Sequence, residues 1–170
     1  MKPRELIGTA IVPGGEELRL YRRDGDFMIV LGGNELMSSR MSGSEEALAW
    51  MTCGRLRGRT APHLLIGGYG MGFTLRAALG VLGPEARVTV AELVREILDW
   101  ARGPMAALSA NGLDDPRVAL VVDDVADAIR AGAQRYDAIL LDVDNGPEGS
   151  RARKTIGSIR RVGLPQRRPR

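Results

Sequence analysis

The stretch Leu64-Leu65-Ile66-Gly67-Gly68-Tyr69-Gly70-Met71-Gly72-Phe73-Thr74-Leu75-Arg76 decides the fold of this chain. An apolar run, typical of a buried strand, stops at four closely spaced glycines, and a helical pattern follows at once. Glycine adopts backbone angles that other residues avoid, and it lets a ligand lie against the main chain. A strand that turns sharply into a helix also directs several N–H groups toward one point. The stretch therefore predicts a nucleotide or nucleoside loop at the edge of a parallel sheet.

The spacing of the glycines restricts the classes of ligand that the loop is expected to bind. The dinucleotide pattern G-x-G-x-x-G would need a glycine at position 73, where the chain has Phe73. The lysine of the phosphate-binding pattern G-x-x-x-x-G-K-[ST] is absent as well. A loop without lysine favours a nucleoside that carries little phosphate charge. The alternative is that the glycines serve only the geometry of the turn.

The composition predicts one intracellular, cytoplasmic domain. The chain has 170 residues, enough for about one domain with a buried core. Its single cysteine, Cys53, excludes an internal disulfide and fits a helical core position better than a nucleophile. No run approaches the ~20 apolar residues of a membrane span, and the N-terminus lacks an apolar signal core, so we expect no membrane partner.

The net charge of +3 belongs to the end of the chain. Residues 151–170 hold eight of the 24 basic residues and none of the 21 acidic ones, which leaves residues 1–150 with a net charge of −5. A basic tail can attract nucleic acid. We favour the simpler interpretation of a solvated, disordered tail over 150–170, and do not expect nucleic acid as a partner of the fold.

Residues 1–42 predict a small antiparallel β region. Polar and apolar residues alternate over 18–31, and Asp24-Gly25 lies between the two runs. Asp-Gly between alternating segments is a strong signal for a β-hairpin. Residues 34–37 add a short third strand. Ser42 and Glu45 have the spacing of a capping box at the start of the next helix.

Residues 43–149 predict an α/β domain with a Rossmann-like open parallel sheet and flanking helices. Apolar runs at 63–67, 87–92, 117–122 and 136–142 are each joined to the next through a helical pattern. The longest of these patterns covers 93–108, and Pro104 either kinks it or starts a second short helix. Continuous apolar strands connected through helices are typical of a parallel sheet covered on both faces. His63 opens the first of these strands, and a strand-end position is favoured over a catalytic one.

The pattern stops after about Gly149. The last residues cannot build the further strands that an open sheet of this kind carries, so the C-terminal strands are expected to be missing. The fourth strand would then lie at an exposed edge, which favours association. We interpret the chain as a fragment, or as one whose reading frame changes near this point.

Acidic residues follow each of the later strands. Glu92 ends the second strand and has the geometry to accept hydrogen bonds from both ribose hydroxyls. Asp123 and Asp124 end the third strand, where a carboxylate can accept from an adenine amino group. Asp142 ends the fourth strand and Asp144 follows it. For each single acid the alternative is a helix N-cap.

These residues together resemble the class I S-adenosylmethionine-dependent methyltransferase fold, and more narrowly its spermidine synthase (polyamine aminopropyltransferase) branch. The family has a small N-terminal β-domain and a G-G-G-D-G-G loop that leads into a helix with an arginine. The segment Gly67–Gly72 and Arg76 match most of that pattern. Asp142-Val-Asp144-Asn145-Gly146-Pro147 is similar to, but shorter than, the family's D-x-x-D-P-x-G-P loop. The resemblance covers about residues 18–149.

The resemblance implies roles for named residues. The loop would line the methionine moiety of S-adenosylmethionine or its decarboxylated form through Gly67, Gly68, Gly70 and Gly72. Glu92 would hold the ribose, Asp124 with its neighbour Asp123 the adenine, and Asp142 would deprotonate the attacking amine. Glu46 and Asp144 would hold the amine substrate. Two departures stand out: no acid occurs at 69–71, and the family's Tyr-His-Glu appears as Ser44-Glu45-Glu46.

The predicted function is therefore transfer of an aminopropyl group to a small-molecule amine, without a metal. The alternatives are a methyltransferase on an unknown acceptor, a truncated nucleoside-binding protein without activity, and a nucleic-acid-binding protein that acts through its tail. The sequence leaves open whether the chain forms a homodimer.

Overall fold

The N-terminal part of the chain forms an antiparallel sheet. The computed structural model describes residues 3–132 and 135–143. The sheet has the order β1-β2-β3-β4, with the bounds β1 Glu5–Ile11, β2 Glu17–Arg23, β3 Asp26–Leu31 and β4 Asn34–Ser38. The predicted hairpin is confirmed, because Asp24 and Gly25 join β2 to β3 with φ of 52° and 91°. Strand β1 is not among the strands predicted from the sequence.

The rest of the described chain forms the predicted parallel sheet with helices between its strands. The elements in chain order are α1 Gly43–Arg55, β5 His63–Gly67, α2 Phe73–Leu79, β6 Arg87–Ala91, α3 Arg95–Arg102, β7 Val118–Val121, α4 Val125–Ala131 and β8 Ala138–Leu141. The strand order is β7-β6-β5-β8, and all three pairings are parallel. The predicted fold class is confirmed.

The register of this sheet brings the ends of its strands together. Gly67, the last residue of β5, pairs with Ala91 on one side and with Leu141 on the other, and Ala91 pairs with Val121. The four strands therefore end at the same level. Because they are parallel, the residues that follow them emerge at one edge of the sheet, where open α/β sheets bind their ligands.

One hydrophobic core connects the two sheets. It contains Leu20 and Ile29 from the antiparallel sheet together with Leu64 and Val90 from the parallel one. Trp100 of α3 packs directly against β1, since a Cβ on Gly8 would lie only 2.6 Å from its indole nitrogen. The N-terminal sheet is thus held against the helices that cover the parallel sheet. The boundary at residue 42 stays a prediction.

Two local expectations can be compared with the structure. The 93–108 pattern is divided near Pro104, which is one of the two expected outcomes: α3 ends at Arg102, Gly103 and Pro104 follow it, and a 3-10 turn begins at Ala106. Proline lacks the N–H that would continue the helix. The capping box at Ser42 does not form; the Ser42 hydroxyl donates to Glu46 Oε1 at 3.2 Å instead.

Strand β8 forms an edge of the described parallel sheet, as expected for the fourth strand. It pairs with β5 alone among the described strands, and its side chains Ile139 and Leu141 are 44% and 37% exposed. The tail and the residues from position 144 onward lie outside the described residues.

Candidate functional site

The glycine loop after β5 packs tightly against the protein itself. Gly68 and Gly72 have φ of 85° and 81°, which L-residues with side chains rarely adopt. A Cβ on Gly68 would lie 2.3 Å from the carbonyl oxygen of Asp142, and one on Gly72 would lie 2.5 Å from the Tyr69 hydroxyl. Both positions therefore require glycine for the fold alone. Their use in binding a ligand stays a prediction.

The antiparallel sheet reaches the same loop at Gly70. The Met37 side chain, from β4, covers that glycine, with its sulfur 2.7 Å from the position that a Cβ would occupy. Met37 was not among the predicted site residues. Its apolar alternation placed it on a strand, and only the packing of one sheet against the other brings it to the loop.

Glu92 is anchored to the glycine loop. The Tyr69 N–H donates to Glu92 Oε2 at 2.8 Å, and the Val94 N–H donates to Oε1 at 2.9 Å. The residue is only 5% exposed, so these main-chain bonds replace the water that a carboxylate needs. Each carboxylate oxygen has two acceptor positions, and each accepts one of these bonds. One acceptor position on each oxygen is therefore left unused by these two bonds.

The two aspartates after β7 differ in their local roles. Asp124 is the N-cap of α4, and its Oδ1 accepts from the Ala126 N–H at 2.7 Å. Asp123 Oδ1 accepts from the Asp124 N–H at 2.8 Å, and the Asp123 N–H donates to the carbonyl of Glu92 at 3.2 Å. The helix-cap alternative thus applies to Asp124. Both side chains are exposed at the edge where the four parallel strands end, beside the end of β6.

Asp142 is joined to the glycine loop through the main chain and to α2 through its side chain. Its N–H donates to the carbonyl of Gly67 at 2.8 Å, which continues the β5–β8 pairing by one residue. Its Oδ2 accepts from the hydroxyl of Thr74 at 2.6 Å. Thr74 lies within the decisive stretch but was not among the predicted site residues. Asp144 lies outside the described residues.

Glu46 lies on α1 and forms an ion pair with α2. Arg76 Nη2 donates to Glu46 Oε1 at 2.6 Å, while Arg76 Nη1 donates to the carbonyl of Leu108. The guanidinium also lies 5.1 Å from the centre of the Phe73 ring. Arg76 therefore ties two helices and the 3-10 turn together. It also neutralises the charge that the sequence analysis assigned to binding an amine.

Two buried hydroxyls under the loop have no hydrogen-bond partner among the described residues. They belong to Tyr69 and Ser109, which are 3% and 2% exposed. Burial raises the pKa of the Tyr69 hydroxyl. A buried polar group without a partner costs free energy. Two hydrogen-bonding groups next to the loop are therefore buried without a partner among the described residues.

Cys53 and His63 have the structural roles that their positions predict. Cys53 is buried, and that burial raises the pKa of its thiol. His63 Nε2 lies 2.9 Å from the Thr89 hydroxyl, and its ring contacts Tyr136 edge-on. In the described ranges no group of three or more metal-ligating side chains converges, and no helix has the length and apolar character to cross a bilayer.

The described fold is similar to that of solved spermidine synthase structures. The chain superposes on the spermidine synthase of Thermotoga maritima with a TM-score of 0.64 and 22% identity, over 81% of this chain and 46% of that one. A spermidine synthase in complex with the transition-state analogue AdoDATO gives the same TM-score at 21% identity, over 82% and 48% of the two chains. The chain therefore has the α/β fold of these spermidine synthase structures over most of its length.

At the level of sequence, part of the chain is similar to curated polyamine aminopropyltransferases and to an N-methyltransferase. The polyamine aminopropyltransferase of Corynebacterium efficiens is 37% identical over 98 residues, which are 56% of this chain and 18% of that protein. Putrescine N-methyltransferase 2 of Nicotiana attenuata is 40% identical over 80 residues, 46% of this chain and 21% of that protein. This chain thus spans about a fifth of the length of these curated relatives. No protein-family model matches it.

Proposed function

We propose that this chain carries the donor-binding part of an aminopropyltransferase that uses decarboxylated S-adenosylmethionine, or S-adenosylmethionine itself, and a small amine as acceptor. The observation that carries the proposal is the common level at which β5, β6, β7 and β8 end. It places the glycine loop, Glu92, the aspartate pair and Asp142 at one edge of one sheet. The similarity to polyamine aminopropyltransferases supports the same reaction.

The acidic side chains and the glycine loop at this edge suit an adenosine that carries a sulfonium substituent. Glu92 offers two anchored acceptor oxygens to the ribose hydroxyls, and the exposed Asp123–Asp124 pair offers acceptors to the adenine amino group. Gly67, Gly68, Gly70 and Gly72 allow the methionine-derived part to lie against the main chain. The loop has no basic side chain, which agrees with a ligand that lacks phosphate.

Asp142 would act as the base. When bound, the donor supplies a carbon next to a sulfonium, which is a good leaving group. The acceptor nitrogen forms a bond to that carbon as the C–S bond breaks, and the electron pair stays on sulfur. The Asp142 carboxylate attracts the amine cation and takes the proton that the nitrogen loses. Holding the sulfonium donor and the amine acceptor together at one edge of the sheet accounts for part of the rate enhancement.

The test is calorimetric titration of the full chain with S-adenosylmethionine, its decarboxylated form and methylthioadenosine. We expect the decarboxylated donor to bind most tightly. Glu92→Ala should weaken binding of every adenosine ligand by roughly 2–4 kcal/mol, the value of one to two hydrogen bonds to a charged acceptor. The control is Glu96→Ala, on the exposed face of α3. Binding of none of the three ligands would contradict the proposal and leave a protein without this activity.

The alternative reaction is N-methyl transfer to an amine. One relative is named as a putrescine N-methyltransferase and matches this chain at 40% identity. Tighter binding of S-adenosylmethionine than of its decarboxylated form would select this alternative. A cytoplasmic location and a homodimer stay predictions.

A further inference from the structure

Thr74 makes a long-range contact that neither the glycine pattern nor the acidic residues account for. It is the second residue of α2, it is 1% exposed, and its hydroxyl donates to Asp142 Oδ2 at 2.6 Å. The two residues are 68 positions apart in the chain. A hydrogen bond of this length to a carboxylate is in the strong, charge-assisted range.

The main chain of Asp142 is already fixed by the loop. Its N–H is bonded to Gly67, and its carbonyl oxygen occupies the space beside Gly68 that a Cβ would need. The two side-chain torsions then decide where the carboxylate points. The Thr74 bond restricts this freedom. The loop holds the backbone of Asp142, and the helix that starts at the loop holds its side chain.

We propose that Thr74 is a positioning residue that orients the Asp142 carboxylate toward the amine substrate and keeps it in its anionic form. The proposal rests on the proposed function, because it needs Asp142 to act as the base. A donor hydrogen bond favours the charged carboxylate. A carboxylate held in one orientation by neighbouring groups also loses less entropy in the transition state.

The test compares Thr74→Val with Thr74→Ser. Valine keeps the shape and removes the hydroxyl, whereas serine keeps the hydroxyl and loses a methyl group. Thr89→Val is the matched control, because Thr89 is another buried threonine whose hydroxyl bonds to His63. Thr74→Cys, which has a weak donor of similar size, replaces the valine variant if that variant does not fold.

The first measurement is NMR titration of the Asp142 carboxyl carbon, which needs no substrate. In Thr74→Val we expect the midpoint to move up by about one pH unit, since the carboxylate loses a hydrogen bond to its charged form. Thr74→Ser and Thr89→Val should leave the midpoint within about 0.3 units. An unchanged midpoint in Thr74→Val overturns the proposal.

The second measurement is turnover of decarboxylated donor and amine. Thr74→Val should lower kcat about tenfold and move the acidic limb of the pH profile to higher pH, with donor affinity unchanged, and Thr74→Ser should restore both. Equal kcat in the valine and serine variants would also overturn the proposal. If the wild-type chain shows no turnover, the proposed function fails, and the titration alone decides whether Thr74 controls Asp142.

Discussion

The Glu92 carboxylate accepts a hydrogen bond from the Tyr69 main chain at 2.8 Å and thereby joins the end of β6 to the middle of the glycine loop. A second bond, from the Val94 N–H, fixes the other oxygen at the start of α3. An acid predicted to bind a ligand is therefore also part of the framework that shapes the loop. Variants at this position change both stability and binding, so each must be measured separately.

Glu92→Gln should destabilise the fold without changing side-chain size. The amide presents one acceptor and one NH₂ group, so one of the two main-chain N–H groups would face another donor. We expect a loss of about 1–3 kcal/mol in the free energy of unfolding, measured in urea. Glu96→Gln on the exposed face of α3 should stay within about 0.5 kcal/mol. Equal effects in the two variants would show that the Glu92 bonds contribute little.

Gly68→Ala and Gly33→Ala separate backbone strain from steric overlap. Both glycines have left-handed φ, 85° and 90°, but only Gly68 has a neighbour, the Asp142 carbonyl, in the space of the new Cβ. Gly33→Ala should cost about 1–2 kcal/mol, which is the cost of that backbone conformation. Gly68→Ala should cost at least twice as much by thermal unfolding. Similar costs would mean that β8 can move away from the loop freely.

The ion pair between Arg76 and Glu46 should couple α1 to α2 more strongly than a surface pair does. Its side chains are 38% and 23% exposed, against 46% and 61% for the pair of Arg22 and Glu5 between β2 and β1. In double-mutant cycles with alanine we expect a coupling energy near 1 kcal/mol for the first pair and below about 0.5 kcal/mol for the second. The reverse order would contradict the bridging role of Arg76.

His63 should make the stability depend on pH. Burial, followed by the nearby positive charge of Arg87, lowers the pKa of its imidazole. The unfolded chain therefore binds the proton more readily, so stability is full above the unfolded pKa near 6.5 and is lost as the pH falls below it. Urea unfolding at about pH 7.5 and 5.5 measures the loss.

The control is His63→Gln, which should reduce this dependence. His63 is the sole histidine of the chain, so no other imidazole titrates in the same range. An equal loss of stability at low pH in the glutamine variant would assign the effect to other groups.

Much of the two sheets could be predicted because the signals that specify them are local. The apolar run before Gly67, the glycines of the loop and the Asp24-Gly25 turn each specify their own backbone within a few residues. Pro104 marked the division of the 93–108 pattern, but the exact end of α3 at Arg102 could not be predicted, because the apolar spacing continues through Gly103-Pro104 into the 3-10 turn. Strand β1 was missed because its side chains, apart from Ala10, are not fully buried and carry a weak pattern.

The sequence by itself determined the α/β class, the position of the loop and the acids that follow each strand, because strand and turn preferences act over short distances. Only the tertiary structure decided what those acids touch. The pairing of Thr74 with Asp142, the pairing of Arg76 with Glu46 and the approach of Met37 to Gly70 all join elements far apart in the chain. Such contacts depend on how the layers pack, and no local pattern encodes them.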